Sequence, residues 1–439
     1  MSLPTSTSPL FDPALSDVGA ELIARDVSLR TTDLALKPDA QARASAVSLV
    51  QDRANVRPDH VLRHWALDPA LTFLNHGSYG AVLRSVRQQH IAMQDRIEAR
   101  PIEMLGRRWR ALLAPSRERV GAFLGMSPDS FGFVTNATEG VNAVLQSTRL
   151  GSGDELLTTS HVYNAVRNAM RHRARECDAR YVEVPVEPPI ADAGAVVGPI
   201  AAAITARTRL VVVDHVSSAT ALVFPVREII DACRARGVDV LVDGAHVPGM
   251  LDIDIEALGA TYWTGNLHKW CCAPKGTAVL WCAPERRASL KPAVVSHFLD
   301  EGLSAEFDWQ GTRDLAAWIV AGRAIDAMGE FGWDAVRRHN AQMAAWAQRM
   351  LCERWDVEPI APEGAMLGSM CTVPLPAEIR ARFRTAAEFQ ETLYAHDRIE
   401  VPIIDFGGRW HARPSAQVYN RAEEYDRLAQ AVIEHAAHA

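Results

Sequence analysis

Short apolar runs rich in β-branched residues alternate with amphipathic helical patterns between about residues 131 and 282. The strand candidates are FGFVT, DELLTT, RLVVVDHV, VDVLVD and GTAVLWC. Between two of them lies VREIIDACRAR (226–236), in which a 3.6-residue period places on one face Val226, Ile229, Ile230 and Cys233. This alternation predicts an α/β fold in which helices cover a largely parallel sheet.

The pattern changes on both sides of this region. Residues 1–60 carry Ser, Thr, Pro and Asp with modest helical patterns, which indicates a partly ordered N-terminal extension. A large domain is expected over residues 61–315, and its first residues could join a second domain. From 316 to 439 the chain is mostly helical with short strand-containing stretches, which predicts a smaller α+β C-terminal domain.

Polar clusters follow three of the predicted strands. TNATEG follows FGFV, SHVYN follows DELLTT, and DGAH follows VDVLV. In open α/β sheets, ligands bind beyond the carboxyl ends of the strands. The three clusters therefore predict one binding site at that edge of the sheet.

Asp243 of VDGAHVPG and Lys269 of WTGNLHKW indicate the cofactor pyridoxal phosphate. A lysine amine can hold this cofactor as a Schiff base, and a carboxylate beside the pyridine nitrogen keeps that nitrogen protonated. Most lysines are solvated surface charges and most Asp-Gly pairs are turns. Lys269, however, is flanked by His268 and lies among tryptophans, which can desolvate its amine and lower its pKa.

The other two clusters offer contacts to such a cofactor. TNATEGVNAVLQ places Thr138 and Glu139 at the start of a helix, where free N–H groups can bind a phosphate. An ordinary capped helix would have the same residues. In SHVYNAV, Tyr163 and His161 are rivals for stacking on the cofactor ring. His246 of DGAH could reach the phenolic oxygen of the cofactor, although a lone histidine is more often structural.

Composition narrows the possible partners and the compartment. The chain has 439 residues, 48% of them hydrophobic, and 46 basic against 53 acidic residues give a net charge of -7. Without a basic stripe, nucleic acid is not an expected partner. Seven scattered cysteines without CxxC spacing argue against disulfides and against a zinc site, which favours a reducing cytoplasm. No signal sequence or membrane-length apolar run is evident, so no membrane partner is expected.

Seven motifs together resemble a known family. LNHGSYG, NATEGVN, HVYNA, DGAHVPG, GNLHKW, WQGTRD and RPSAQVYN, in this order, are similar to the class V aminotransferases, and specifically to their isopenicillin N epimerase-like branch. These are pyridoxal-phosphate enzymes of fold type I. The resemblance covers roughly residue 65 to the C-terminus and implies a mostly parallel seven-stranded sheet in the large domain.

The resemblance also implies roles for the residues that match its motifs. Lys269 would form the Schiff base, Asp243 would pair with the pyridine nitrogen, and Thr138 with the Glu139 backbone would bind the phosphate. His268 would also touch the phosphate. The VYNA match favours Tyr163 over His161 as the stacking ring, and the DGAH match places His246 near the phenolic oxygen.

Further matches concern the substrate and a second subunit. Arg413 matches an arginine that grips the α-carboxylate of an amino-acid substrate, which suits its planar fork. Asn75, His76 and Ser78 match a loop that lines the substrate cavity. Thr312 matches a residue that reaches the phosphate of the neighbouring subunit, which implies a homodimer with shared active sites. Arg313 could be a second anion anchor or could pair with Asp314.

The expected chemistry is abstraction of the Cα proton of an amino acid or of a metabolite that carries one. Epimerisation and β-elimination from a cysteine S-conjugate are the leading outcomes, and transamination is the alternative. A cysteine desulfurase is disfavoured because residues 399–414 contain no cysteine to accept sulfur. A catalytically idle cofactor-binding scaffold is the alternative outside enzymes.

Overall fold

The computed structural model describes residues 59–362 and 366–437. The N-terminal extension expected over residues 1–60 therefore lies almost entirely outside the described residues. The strands are β1 (Thr72–Phe73), β2 (Phe131–Val134), β3 (Glu155–Thr159), β4 (Arg180–Val184), β5 (Thr208–Asp214), β6 (Asp239–Asp243), β7 (Tyr262–Asn266), β8 (Ala278–Cys282), β9 (Val373–Pro374), β10 (Ile399–Glu400), β11 (Ile403–Phe406) and β12 (Arg409–Ala412).

A seven-stranded sheet forms the centre of the fold, with the strand order β2-β8-β7-β6-β5-β3-β4. The neighbours from β7 to β4 pair in parallel. β8 runs antiparallel to both of its neighbours, so it alone opposes the direction of the sheet. This arrangement confirms the predicted α/β fold with a mostly parallel seven-stranded sheet.

Both faces of the sheet are buried, which explains why its strands are apolar runs rather than alternating patterns. In β6, Val240 and Val242 belong to one apolar cluster and Leu241 to another on the opposite face. Helix α8 (Val226–Arg234) covers the first face. It buries the four side chains that the sequence placed on one side of this helix.

The other helices up to the end of the sheet are short or medium in length. They are α1 (Asp59–Leu62), α2 (His76–Tyr79), α3 (Arg84–Ala99), α4 (Trp109–Leu124), α5 (Ala137–Ser147), α6 (Asn164–Glu176), α7 (Gly194–Ala203) and α9 (Ile255–Leu258). A π-helical segment spans Ile102–Arg107, and 3-10 turns span Pro128–Ser130 and Pro284–Arg286.

The C-terminal part is mostly helical and has a small antiparallel sheet, in the order β11-β12-β9. The helices after the large sheet are α10 (Leu303–Asp308), α11 (Ala316–Ile319), α12 (Ala321–Gly329), α13 (Trp333–Trp355), α14 (Ala377–Arg382), α15 (Ala386–Ala395) and α16 (Ala422–Ala437). Of these, α10 to α12 pack in the clusters around the large sheet, whereas α14 to α16 belong to the C-terminal part. A separate apolar cluster forms the core of this part. Helix α13 contributes Val336 to the large core and Leu351 to the small one, so it links the two.

The chain before the sheet also contacts the C-terminal part. β1 pairs in parallel with β10, and Leu74 packs in the small core. The domain boundaries at residues 60 and 315 stay predictions. Over residues 59–362 and 366–437, no helix has both the length and the apolar character that crossing a bilayer requires.

Candidate active site

Three polar side chains end neighbouring parallel strands at one edge of the sheet. Asp214 ends β5, Asp243 ends β6 and Asn266 ends β7. The two aspartates are register partners across the β5–β6 pair, and both are buried. Lys269 follows Asn266 closely in the chain, so the predicted pair of Asp243 and Lys269 shares this edge.

The amine of Lys269 lies in an environment that favours its neutral form. Its Nζ atom is 3.1 Å from Nε2 of His246. Burial, and then the positive charge of Arg413, lower the pKa of Lys269 to about 7, against the opposite influence of Asp243 and Asp214. Near neutral pH the amine is therefore partly unprotonated, as a nucleophile or base requires.

The carboxylate of Asp243 accepts a hydrogen bond of 2.9 Å from the backbone N–H of Ala245. Burial raises the pKa of Asp243, while this N–H and Lys269 act to lower it. A cation placed beside a buried carboxylate stabilises its ionised form and lowers its raised pKa. A protonated pyridine nitrogen would be such a cation.

The two histidines of the site have neutral rings. The pKa of His246 is well below its ordinary value because of burial, and its Nδ1 atom has no hydrogen-bond partner within the described part of the chain. Nδ1 of His268 lies 3.1 Å from the carbonyl oxygen of Thr277, and burial lowers the pKa of this ring to about 4. Since the carbonyl can only accept, Nδ1 carries the proton and Nε2 is an acceptor. The expected contact of His268 with a phosphate would therefore require a second proton on the ring.

The first turn of α5 is held against the end of β7. Oδ1 of Asn266 accepts a hydrogen bond from the backbone N–H of Ala137 at 2.8 Å. Asn136 caps the helix by accepting the backbone N–H of Glu139 at 3.0 Å. The Glu139 carboxylate accepts the backbone N–H of Thr135 at 2.7 Å. This is a capping arrangement of the kind that stabilises helix starts.

The cap changes what can bind a phosphate there. The backbone N–H of Glu139, which the sequence predicts as a phosphate ligand, donates its hydrogen bond to the side chain of Asn136. The Glu139 carboxylate also accepts a hydrogen bond from Nε2 of Gln310 at 3.0 Å. In this structure the Glu139 backbone belongs to the helix cap, and its contact with a phosphate stays a prediction. Thr138 remains, half-buried in the first turn.

Tyr163 and His161 differ in exposure. Tyr163 is 46% exposed, and its hydroxyl lies close enough to Arg413 to act on the pKa of that guanidinium. His161 is fully buried, with its Nδ1 at 2.7 Å from the Thr220 hydroxyl and its Nε2 at 2.8 Å from the Val186 carbonyl.

His161 also packs its ring against aromatic neighbours. The ring centroids lie 4.6 Å from Phe406 and 5.2 Å from Phe224. Both nitrogens and the ring of His161 are thus engaged within the protein, which favours Tyr163 as the stacking ring. The cofactor contacts of Tyr163 and of His161 stay predictions.

Arg413 is buried and held by two serines. Its guanidinium donates to the carbonyl and, at 3.2 Å, to the hydroxyl of Ser218, and at 3.3 Å to the hydroxyl of Ser78. Its Nε atom has no partner among the residues that the structure describes. Burial lowers the pKa of Arg413 to about 10, so it stays charged at neutral pH. The Ser78 hydroxyl in turn donates to Asn75, which joins two predicted substrate residues to Arg413.

His76 supports the backbone behind Lys269. It is fully buried, with Nε2 at 3.0 Å from the Lys269 carbonyl and Nδ1 at 2.8 Å from the Tyr419 hydroxyl. The expectation that His76 lines the substrate cavity stays a prediction. Gly80 packs against the same stretch of backbone. A Cβ at this position would lie 2.1 Å from the carbonyl oxygen of His268, so no side chain fits there.

The WQGTRD segment begins in the interior, where Trp309 and Gln310 are buried, and reaches the surface further along. Thr312 is exposed. The guanidinium of Arg313 lies 5.1 Å from the centroid of the Trp318 ring. The carboxylate of Asp314 instead accepts Nε2 of Gln94 at 2.7 Å and lies 4.0 Å from His90. The alternative of an Arg313–Asp314 ion pair is thus not what the structure shows.

Sequence reasoning missed two members of the site. Asp214 ends an apolar run in the same way as Asp243, and this parallel was the available signal. Ser218 had no comparable signal, because its contact with Arg413 joins residues 195 positions apart.

Comparisons with known proteins identify the family of this chain. The family model for class V aminotransferases matches residues 80–382. An isopenicillin N epimerase of Amycolatopsis lactamdurans is 33% identical over 389 residues, which cover 84% of this chain and 96% of that protein. A probable chloroplastic L-cysteine desulfhydrase of Arabidopsis thaliana is 29% identical and covers 83% of each chain.

Solved structures share the fold. A C-DES mutant with glycine covalently linked to its PLP cofactor superimposes with a TM-score of 0.72 at 20% identity, over 84% of this chain and 98% of that one. The apo cysteine desulfurase of Thermococcus onnurineus gives a TM-score of 0.72 at 18% identity, over 88% and 100%.

This fold and this site define an enzyme of the fold type I class that depends on pyridoxal phosphate. The chain belongs to the class V aminotransferase family. Its cofactor is accordingly pyridoxal phosphate.

The residues present fit that cofactor. A lysine with a lowered pKa, a buried carboxylate and the first turn of α5 can serve the aldehyde, the pyridine nitrogen and the phosphate. Nδ1 of His246 and Oδ2 of Asp214 are buried without partners in the described residues, as expected of a site shaped for a polar ligand.

Proposed function

We propose that this enzyme removes the Cα proton of an amino acid, or of a metabolite that carries one, and that epimerisation or β-elimination follows. The observation that carries the proposal is the buried Lys269 amine at the sheet edge, 3.1 Å from Nε2 of His246, where burial lowers its pKa to about 7. An amine of this kind can anchor the cofactor by its carbon-nitrogen bond and, once released, can take up a proton. Lys269 is the proposed anchor and general base.

Bound pyridoxal phosphate supplies an electron sink that stabilises negative charge at Cα after the proton leaves. Asp243 would keep the pyridine nitrogen protonated, because an opposite charge within hydrogen-bonding reach shifts a pKa by about 1 to 3 units. Thr138 and the first turn of α5 would bind the phosphate, and Tyr163 would cover the ring. His246, which lies beside Lys269, would contact the phenolic oxygen.

Arg413 binds the α-carboxylate of the substrate. Its guanidinium is buried and charged, with an Nε atom that has no partner in the described part of the protein. Hydrogen bonds to the hydroxyl groups of Ser78 and Ser218 fix the orientation of the guanidinium plane. A carboxylate held there orients Cα relative to the amine of Lys269.

Relatives support two outcomes after proton removal. Epimerisation has the support of the relatives at 33% identity, which are isopenicillin N epimerases. It requires that a proton return to Cα from the face opposite Lys269. Elimination has the support of the L-cysteine desulfhydrases at 27 to 30% identity. It requires a leaving group on the β-carbon, and with water it releases pyruvate and ammonia.

A cysteine desulfurase is disfavoured by the state of the cysteines. Six of the seven are buried, and the seventh, Cys177, is half-buried on the C-terminal end of α6. Burial raises the pKa of the Cys352 thiol to about 11 and also raises that of Cys371, which lies in the small core. Neither thiol has the low pKa and exposure of a reactive nucleophile.

We also propose a homodimer in the cytoplasm. Thr312 is exposed, as a residue that reaches a neighbouring subunit must be. Seven free cysteines suit a reducing compartment. Sedimentation of the full-length protein should give twice the monomer mass, and a monomer with full activity would contradict the shared site.

The test of the reaction is incubation in deuterated water with a panel of amino acids that includes L-cysteine, cysteine S-conjugates and peptides with a terminal amino acid. Substrate with deuterium at Cα and inverted configuration means epimerisation, and pyruvate with ammonia means elimination. A keto acid that retains the full side chain would instead indicate transamination. Absence of deuterium at Cα in every substrate and of every product would contradict the proposal.

Two variants serve as controls for this experiment. Lys269→Ala should abolish exchange at Cα, whereas Lys291→Ala should not, because Lys291 pairs with Asp300 and Glu306 away from the site. Exchange that persists in Lys269→Ala would assign the base to another residue.

A further inference from the structure

The end of β5 carries an aspartate that the proposed mechanism does not use. Asp214 is 3% exposed and lies in register with Asp243 on the adjacent parallel strand. Backbone N–H groups of Tyr163 and of Asp214 itself donate toward this carboxylate. Its Oδ2 atom is buried without a hydrogen-bond partner in the described residues. Asp214 thus touches the Tyr163 loop and faces Asp243.

Two carboxyl groups buried side by side cannot both ionise without a large cost in free energy. Each would lose its hydration, and their mutual repulsion grows in a medium of low dielectric constant. The charged groups around Asp214 are Asp243 on β6, Lys269 after β7 and Arg167 on α6. Lys269 has a pKa of about 7 and is therefore only partly charged at neutral pH, and Arg167 already pairs with Glu183. Neither cation therefore balances a negative charge on a second carboxylate.

The position of the proton follows from the cofactor. A pyridine nitrogen that holds its proton requires a negative Asp243, and this role belongs to the function proposed above. The carboxyl group that remains neutral is then Asp214. Burial, with the charge of Asp243 second, raises the pKa of Asp214 well above its ordinary value, which agrees with this assignment.

We propose that Asp214 is a positioning residue whose carboxyl group stays protonated beside Asp243, and which offers this end of the cofactor site a hydrogen-bond donor instead of a second negative charge. The inference rests on the proposed role of Asp243. An ionised Asp214 would compete with Asp243 for the pyridine proton. A neutral Asp214 leaves Asp243 as the only anion there and holds the backbone of Tyr163 in place.

The direct test is the infrared spectrum of the full-length protein, with its bound cofactor, at neutral pH. A protonated carboxyl group has a carbonyl stretch separate from that of a carboxylate. We expect this band in the wild type and its loss in Asp214→Asn. The matched control is Asp154→Asn, because the Gly151 N–H and Arg209 lower the pKa of Asp154 and keep it ionised. A wild type and an Asp214→Asn variant with the same carbonyl-stretch region would overturn the proposal.

A second measurement tests the positioning role. Asp214→Asn keeps a donor and the shape, whereas Asp214→Val keeps neither polar atom. The visible spectrum and the cofactor dissociation constant should be unchanged in Asp214→Asn, and the constant should rise on the order of tenfold in Asp214→Val. Equal loss in both variants would show that the charge of Asp214 matters, and equal retention would show no role. Either result overturns the proposal.

These readouts separate the inference from the proposed function. If the enzyme shows no exchange at Cα but the infrared band behaves as described, the reaction is wrong and the assignment of the proton stands. If exchange occurs without the band, the reaction stands and Asp214 is ionised. Should Asp214→Val fail to fold, the infrared comparison with Asp214→Asn still decides the protonation state.

Discussion

The Nζ atom of Lys269 lies 3.1 Å from the Nε2 atom of His246, so the proposed cofactor anchor contacts a neutral imidazole. Burial holds the pKa of His246 well below its ordinary value, and the ring therefore adds no positive charge. The neutral ring can accept a hydrogen bond from the Lys269 amine. It stabilises the charged form of that amine less than a carboxylate would. Burial first, and then the charge of Arg413, lower the pKa of this amine to about 7, so it is partly neutral at pH 7.

The first prediction concerns the pH dependence of cofactor attachment. Only the unprotonated amine can attack the aldehyde, so the rate of attachment to cofactor-free protein should rise with pH through about 7 and then level off. In Arg413→Met the midpoint should move up, because the positive charge that disfavours the ammonium form is gone. Stopped-flow absorbance gives these rates. A rise that continues toward the pKa of an ordinary lysine would contradict the account.

The second prediction concerns substrate binding by Arg413. Arg413→Lys keeps the charge but loses the two parallel hydrogen bonds of the fork, which should raise KM for the amino acid by about 10- to 100-fold. The reduction in kcat should be smaller. Arg409→Lys is the matched control, at the exposed start of the same strand. An unchanged KM in Arg413→Lys would remove Arg413 from the carboxylate site.

The third prediction separates Tyr163 from His161. Tyr163→Ala should weaken cofactor binding by about tenfold with little change in Tm, because an exposed ring is lost from the site. Tyr163→Phe should bind the cofactor normally. His161→Ala should lower Tm, since it removes a buried side chain with two hydrogen bonds. The reverse pattern would make His161 the stacking ring.

The fourth prediction concerns the stability of the sheet's edge. Asp308 on α10 forms a buried ion pair with Arg117, and its carboxylate also accepts the backbone N–H of Phe133 at 3.1 Å. Asp308→Ala leaves Arg117 buried without its partner and should cost about 3 to 5 kcal/mol in unfolding free energy. Asp326→Ala breaks the exposed pair with Arg119 and should cost about 1 kcal/mol or less. Equal costs in denaturant unfolding would contradict this difference.

The sequence predicted five of the seven strands of the large sheet because these strands are buried apolar runs. β4 (Arg180–Val184) was missed because it is an edge strand whose side chains are mostly exposed or half-buried. β7 (Tyr262–Asn266) was missed because Gly265 and Asn266 are poor strand formers. Tertiary contacts decide both cases, as they do for many strands.

Within the site, the sequence indicated which residues gather at the sheet edge but not which way they face. His76 and His161 lie in the expected motifs, yet both are buried with their ring nitrogens engaged. Their partners are distant in the chain, such as Tyr419 for His76, 343 positions away. Side-chain direction depends on such contacts, which no local pattern contains.

The central claim is that the cofactor is bound covalently at Lys269. The most direct measurement is borohydride reduction of the purified protein followed by proteolysis and mass spectrometry, which identifies the lysine that carries the added mass. The chain offers Lys37, Lys275 and Lys291 as internal controls. The account predicts the pyridoxyl adduct on the peptide that contains Lys269. An adduct on any of the other three lysines, or on none, would contradict it.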